Sequence, residues 1–133
     1  SLLFMGATGL GKTLLSGCIA RAVADRGYSV CYVSAGKLFS DFETEKFRLK
    51  EDGALTGEYM ETDLLIIDDL GTEMTTQFTV SALYQVVNGR LLSGRPTIVS
   101  TNLNSRHGTR RRSHPGSWVR IRCTSFVGQM SGF

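Results

Sequence analysis

No acidic side chain occurs after Glu73 in this chain of 133 residues. All twelve Asp and Glu lie at or before that position. The charged groups beyond it are Arg90, Arg95, Arg106, Arg110, Arg111, Arg112, Arg120 and Arg122. A field this one-sided attracts polyanions. Cysteine is scarce: Cys18, Cys31 and Cys123 make no C-x-x-C pair, which argues against a disulfide framework or a cysteine zinc site. Cys18 and Cys31 read as small hydrophobes, and the compartment expected is a reducing cytoplasm. The two histidines, His107 and His114, have no partners at metal-ligand spacing and read as loop residues. Trp118 is alone and reads as partial core rather than as a base-stacking platform. No run of about 18 apolar residues exists, so no membrane span is expected. No signal peptide precedes Ser1, and the chain opens directly on a strand, as a piece of a longer protein would.

What the chain has is a phosphate loop. Gly6-Ala7-Thr8-Gly9-Leu10-Gly11-Lys12-Thr13 fits G-x-x-x-x-G-K-[ST]. Apolar Leu2-Leu3-Phe4-Met5 precedes it as a buried strand, and Leu14, Leu15, Cys18, Ile19, Ala22 and Val23 follow at helical spacing. Gly6, Gly9 and Gly11 let backbone N–H groups, with those of Ala7, Thr8, Leu10 and Leu14, close around a polyphosphate at the positive end of a helix. Lys12 offers charge to the β- and γ-phosphates, and the Thr13 hydroxyl can ligate Mg²⁺.

The helix is expected from Thr13 to Arg26, stopping at Gly27. Tyr28 to Val33 reads as a second strand, so a βαβ crossover and a parallel sheet follow. Ala35 to Lys50 is helical in spacing, with Leu38, Phe39, Phe42 and Phe47 packing as core. Glu51 to Tyr59 carries Gly53 and Gly57 and reads as a loop or short irregular helix.

Leu64-Leu65-Ile66-Ile67-Asp68-Asp69 puts four large apolar residues before two carboxylates. Such a strand is buried on both faces of a parallel sheet, and its carboxyl end is where ligands bind. Asp68 would hold Mg²⁺ through water. Asp69, pointing elsewhere, could polarise the water that attacks the γ-phosphate. A helix N-capped by Thr75 or Thr76 then runs to Ser93-Gly94, with Phe78, Val80, Leu83, Tyr84, Val86, Val87, Leu91 and Leu92 along it. Thr97 to Asn102 is the next strand, and Asn102 at its end could hydrogen-bond the attacking water or the γ-phosphate. The expected catalytic set is therefore Lys12, Asp69 and Asn102, with Thr13 and Asp68 on the metal.

In this order the motifs G-A-T-G-L-G-K-T, R-G-Y-S-V, L-L-I-I-D-D-L-G-T-E and P-T-I-V-S-T-N-L resemble the AAA+ ATP-binding core of bacterial helicase loaders, the DnaC/DnaI family, and the closely similar IstB transposition helpers. The resemblance covers Leu2 to Leu103. It implies a P-loop NTPase of the α/β class: a parallel five-stranded sheet in the order 5-1-4-3-2, flanked by helices as a three-layer sandwich. It also implies ATP and Mg²⁺ as cofactors and Asn102 at the sensor 1 position. The implied partners are a replicative DNA helicase, single-stranded DNA and, at full length, further copies of the chain. The family's helicase-gripping N-terminal region has no counterpart here. A helper that uses the same ATPase to prepare DNA for a transposase is the nearest alternative. A nucleotide kinase would need lid arginines in an ordered helix, and 34–63 supplies none.

Residues 1–103 thus form a family-like core, and 104–133 an aberrant basic tail. The tail lacks apolar periodicity, and Pro115-Gly116 would break a helix, although Val119-Arg120-Ile121-Arg122 loosely echoes the family's ending. Two readings stand: a shifted reading frame, or a genuine basic segment that binds nucleic acid independently of ATP. Arg120 or Arg122 could then take the place of the arginine that the family presents to a neighbouring subunit's nucleotide. Without such an arginine the isolated core is expected to bind nucleotide and hydrolyse it slowly.

Overall fold

The computed structural model describes residues 1–47, 54–71, 75–102 and 120–123, with the backbone alone at 54–55 and 120–123. The remaining tail, with His107, His114 and Trp118, lies outside the described residues. The elements run β1 (Leu2–Met5), α1 (Lys12–Ala24), β2 (Val30–Ser34), α2 (Ala35–Phe47), α3 (Ala54–Glu61), β3 (Leu64–Leu70), α4 (Gln77–Leu92), β4 (Thr97–Thr101) and β5 (Arg120–Cys123).

The strands form one sheet in the order β2-β3-β4-β1-β5, the order the resemblance implied when read from the other edge. β1 to β4 are mutually parallel. β5 departs from the all-parallel expectation and runs antiparallel to β1, with Phe4 opposite Ile121. A parallel neighbour needs a crossover of a dozen or more residues, usually a helix; an antiparallel edge strand does not. The sequence between Asn102 and Arg120 has no helical apolar pattern with which to build that crossover.

Alternation along the strands sorts side chains between two layers. Odd-numbered Cys31, Val33, Leu65, Ile67 and Val99 pack with Leu38 and Phe39 of α2, Tyr59 of α3, and Ala82 and Val86 of α4. Even-numbered Phe4, Leu64, Ile66 and Ile98 pack with Ile19, Ala20 and Val23 of α1. The sheet therefore sits between α1 on one face and α2, α3 and α4 on the other, a three-layer arrangement.

Several helices bury a different face from the one expected. α1 turns Lys12 and Ser16 inward, while Leu14 is 73% exposed and Leu15 and Cys18 also face solvent. The phosphate loop sets this rotation: Gly11 caps the helix, so the next residue points its stem back under the loop. In α2 Leu38 and Phe39 are core as expected and Phe42 is half-buried, but Phe47 is exposed. The segment before Glu61 is a regular helix, anchored where the Thr56 N–H donates to Glu45 Oε1 at 2.8 Å. In α4 the fully buried row is Ala82, Val86 and Arg90, whereas Val80, Tyr84 and Leu92 are exposed. Thr76 is its N-cap, in a reciprocal capping box with Thr79.

Candidate functional site

The carboxyl ends of the parallel strands gather the polar groups. Gly9 and Gly11 take φ of 84° and 79°, a region that L side chains rarely enter, and open space lies where a Cβ would stand at either. The loop is thus an unfilled cradle above the start of α1. No side chain caps that helix end and no acidic residue occupies its first turn. Its first N–H groups, which lack intrahelical partners in any helix, are left for an anion.

Lys12 lies under the loop, 7% exposed, with Nζ donating to the carbonyls of Gly6 (2.7 Å) and Ala7 (2.8 Å). Two of the ammonium's three hydrogens are used in these bonds. The Gly6 N–H donates to the Thr101 carbonyl at 3.3 Å, tying the loop to the end of β4.

Asp68 and Asp69 diverge as expected, and the backbone accounts for the divergence. The pairing of β3 with β4 slips between Ile67 and Leu70, and Asp69 has φ 59° in the left-handed region. Asp is one of the few residues that tolerate this conformation. The bulge turns the Asp69 carboxylate out, where Asn102 Nδ2 donates to Oδ1. Asp68 stays on the α1 face, 8% exposed. Its Oδ2 accepts from the Tyr32 hydroxyl at 2.6 Å, and its Oδ1 from the Ser100 hydroxyl and from the Asp69 N–H at 3.0 Å. Burial pushes the Asp68 pKa up, but the hydrogen bonds from Ser100, Tyr32, Thr13 and the Asp69 amide outweigh it, so the carboxyl is held below its ordinary value. Burial, then the bond to Asp68, raises the Tyr32 phenol and keeps it a neutral donor.

A cleft of about 710 Å³ joins these parts. Of the residues singled out from sequence, Thr8, Gly9, Gly11, Lys12, Thr13, Leu14, Asp68, Asp69 and Asn102 line it. Gly6 and Ala7 lie behind it, as acceptors for Lys12, and Leu10 is half-buried in the loop without lining it. Ser100 also lines the cleft. Sequence reasoning passed over Ser100 and Tyr32, which reach Asp68 from the neighbouring strands β4 and β2 and share its face only through the register of the sheet. A second cavity, about 500 Å³, opens at the other end of the sheet between α1 and the strands, lined chiefly by apolar Leu2, Ile19, Val23, Leu64, Pro96 and Ile98.

The donor set fits MgATP. Among the described residues no cluster of three His, Cys, Asp or Glu could cage a metal by itself. Mg²⁺ does not need one, because it binds through one or two protein oxygens, waters and substrate phosphates. Asp68 and Thr13 are hard oxygen donors beside an anion cradle, and they are the residues that would hold the ion. No helix among the described residues is long and apolar enough to cross a membrane.

Comparison with known proteins agrees with this geometry. The family model described as IstB-like ATP binding protein matches residues 1–109. The replicative helicase loader DnaC of Escherichia coli K12 is 27% identical over 99% of this chain and 58% of its own length. A putative ATP-binding protein in an insertion sequence of Mycobacterium tuberculosis is 28% identical over 77% of this chain and 40% of its own. The chain thus spans between 40% and 58% of the length of these two relatives. Among solved structures, that of the DnaC helicase loader superposes with a TM-score of 0.69 at 21% identity, over 80% of this chain and 60% of that one, and so shares the fold. With the P-loop, the Asp68-Asp69 strand end and a family match over most of its length, the chain belongs to the IstB-like ATP-binding proteins, within the AAA+ P-loop ATPases.

Proposed function

We propose that this chain is the ATP-binding and hydrolysing module of a cytoplasmic helicase loader, which places a replicative DNA helicase on single-stranded DNA. The observation that carries the reading is the divergence of the two aspartates. One is buried and held by hydrogen bonds beside Thr13; the other is turned out by a left-handed bulge onto Asn102. Adjacent carboxylates with separate settings can take separate roles.

In this reading the loop amides and Lys12 bind the phosphates. Lys12 exchanges its bonds to the Gly6 and Ala7 carbonyls for phosphate oxygens, which its flexible stem allows. Thr13 and Asp68 would hold Mg²⁺, which when bound would neutralise charge on the phosphate oxygens. Asp69 accepts a hydrogen bond from the attacking water, and Asn102 fixes the orientation of that carboxylate. An arginine from a neighbouring copy completes the site, as arginines supplied in trans do elsewhere.

ATP turnover with and without single-stranded DNA tests the reading. Asp69→Asn keeps a side chain that tolerates the left-handed backbone but removes the base. It is expected to lower turnover by about 10²-fold or more while nucleotide affinity holds. Equal losses of binding and turnover would refute the role of Asp69. Fast turnover that does not depend on concentration would refute the need for a neighbour. The match to an insertion-sequence protein favours a second reading, an ATPase that prepares DNA for a transposase. ATP-dependent delivery of a helicase hexamer onto single-stranded DNA separates the two, since a transposition helper would not support it.

A further inference from the structure

The proposed ATPase needs an aspartate to approach the metal, and besides Thr13 of α1 three hydrogen-bond donors reach it from three different strands. Ser100 reaches Oδ1 from β4, the Asp69 amide reaches the same oxygen from β3, and the Tyr32 hydroxyl reaches Oδ2 from β2, at 2.6 Å. The two oxygens are therefore not equivalent: Oδ1 has two of these donors and Oδ2 has one. Tyr32 stands opposite Ile66 in the β2–β3 register, one alternation before Asp68 on the same sheet face. Its side chain lies along the face that carries α1, and the residue is 42% exposed. Nothing in the packing requires a hydroxyl there. A phenylalanine would fill the same space, so the O–H matters through the carboxylate it touches.

We propose that Tyr32 is a positioning residue for the metal site: its phenol O–H fixes the rotation of the Asp68 carboxylate and thereby sets the affinity of the site for magnesium on the nucleotide. The inference rests on the ATPase reading above. A carboxylate has about four lone-pair sites. Tyr32, Ser100 and the Asp69 amide take up most of these from the sheet, and Thr13 at the start of α1 hydrogen-bonds the same carboxylate from the side where the metal would lie. Removing the phenol O–H lets the carboxylate swing about its Oδ1 anchor. Losing an outer hydrogen-bond partner of a metal-holding carboxylate typically costs about 10- to 100-fold in metal affinity. The hydroxyl also hydrogen-bonds the Thr13 side chain, which belongs to the metal side of the site, whereas Lys12 bonds the loop carbonyls and not this phenol; nucleotide binding without metal is therefore expected to hold.

The test is Tyr32→Phe, which keeps the ring and removes the oxygen. Affinity for ATP is measured by calorimetry on the whole chain, in EDTA and in excess magnesium, and Mn²⁺ binding in the presence of ATP is followed by electron paramagnetic resonance. The expected result is unchanged affinity in EDTA, an enhancement by magnesium about tenfold smaller than in the wild type, and Mn²⁺ binding weakened to match. A merely structural role would move the unfolding midpoint and both affinities together, and that outcome overturns the proposal. So does a variant with the full magnesium enhancement. If the wild-type chain itself fails to bind ATP, the ATPase reading falls, and the inference about Tyr32 falls with it. A failure of Tyr32→Phe to differ from the wild type leaves that reading intact.

Discussion

Two cations are buried at opposite ends of one sheet, and the contrast between them separates what serves the ligand from what serves the fold. Lys12, under the phosphate loop at the carboxyl end, donates to two loop carbonyls. Arg90, fully buried at the amino end, donates from Nε to Thr97 Oγ1 at 3.0 Å and from its two terminal nitrogens to the carbonyls of Tyr59, Met60, Thr62, Asp63 and Pro96 at 2.8 to 3.3 Å. Neither forms a carboxylate ion pair among the described residues. An ammonium on a flexible stem, with a hydrogen to spare, can move to a better acceptor. A planar guanidinium with all its N–H groups engaged cannot. Arg90 is a lock: it closes the carboxyl end of α3, where the helix dipole favours a cation, and ties it to the residues leading into β3 and to the start of β4. Lys12 is held in reserve, its charge stored on the loop it will leave.

Substituting each cation should break the molecule in different ways. Arg90→Met fills much of the same volume but orphans a group of buried carbonyls, each costing about 1–3 kcal/mol when unsatisfied. The expected loss is about 3 kcal/mol or more, a large share of a small domain's stability, read from urea unfolding. Nucleotide binding should fail only where the fold does. Lys12→Ala should do the reverse. The unfolding midpoint should change little, while ATP affinity falls about 10- to 150-fold, the equivalent of a charged hydrogen bond worth about 1.5–3 kcal/mol. An Arg90→Met chain of normal stability would erase the distinction, as would a Lys12→Ala chain that unfolds.

The same contrast explains how far the sequence could be read. The loop, the β3 run and their order along the chain are local patterns with a fixed chemistry, and they pointed to the residues that share the cleft; the strand order was implied only by the family resemblance. From the sequence Arg90 reads only as part of a basic half, because charge is read as exposed unless a pattern contradicts it. The contradicting pattern is present: Ala82, Val86 and Arg90 recur every four residues along the buried row of α4. In helix α1 Ile19 and Val23 pack inward as their spacing predicts, but Leu14 and Leu15 do not, because at the start of the helix the loop geometry, not apolarity, decides what faces in. The direction of β5 and the partners of Asp68 depend on which strands lie side by side. That information resides in the sheet rather than in any single window of residues.

The mildest way to sharpen the contrast is acid. Hydrogen bonds hold Asp68 ionised below the ordinary carboxylate range, despite its burial. A carboxylate whose folded pKa is depressed contributes stability that is complete above its unfolded value, near 4, and is lost as pH falls through the lower folded value. The Arg90 guanidinium stays charged throughout that range. Acid should therefore loosen the carboxyl end of the sheet before the amino end. The amide to watch is that of Asp69, which donates to Asp68 Oδ1 and Ser100 Oγ, both at 3.0 Å. Its counterpart is the amide of Leu65, which donates to the Pro96 carbonyl, itself an acceptor of Arg90. Hydrogen exchange followed from pH 6 to pH 3, after correction for the intrinsic rate, should show Asp69 losing protection while Leu65 keeps it. In Asp68→Asn the acid sensitivity at residue 69 should vanish. Simultaneous opening of both ends would mean that the two form one cooperative unit, and the division of labour between lock and reserve would then be chemical but not energetic.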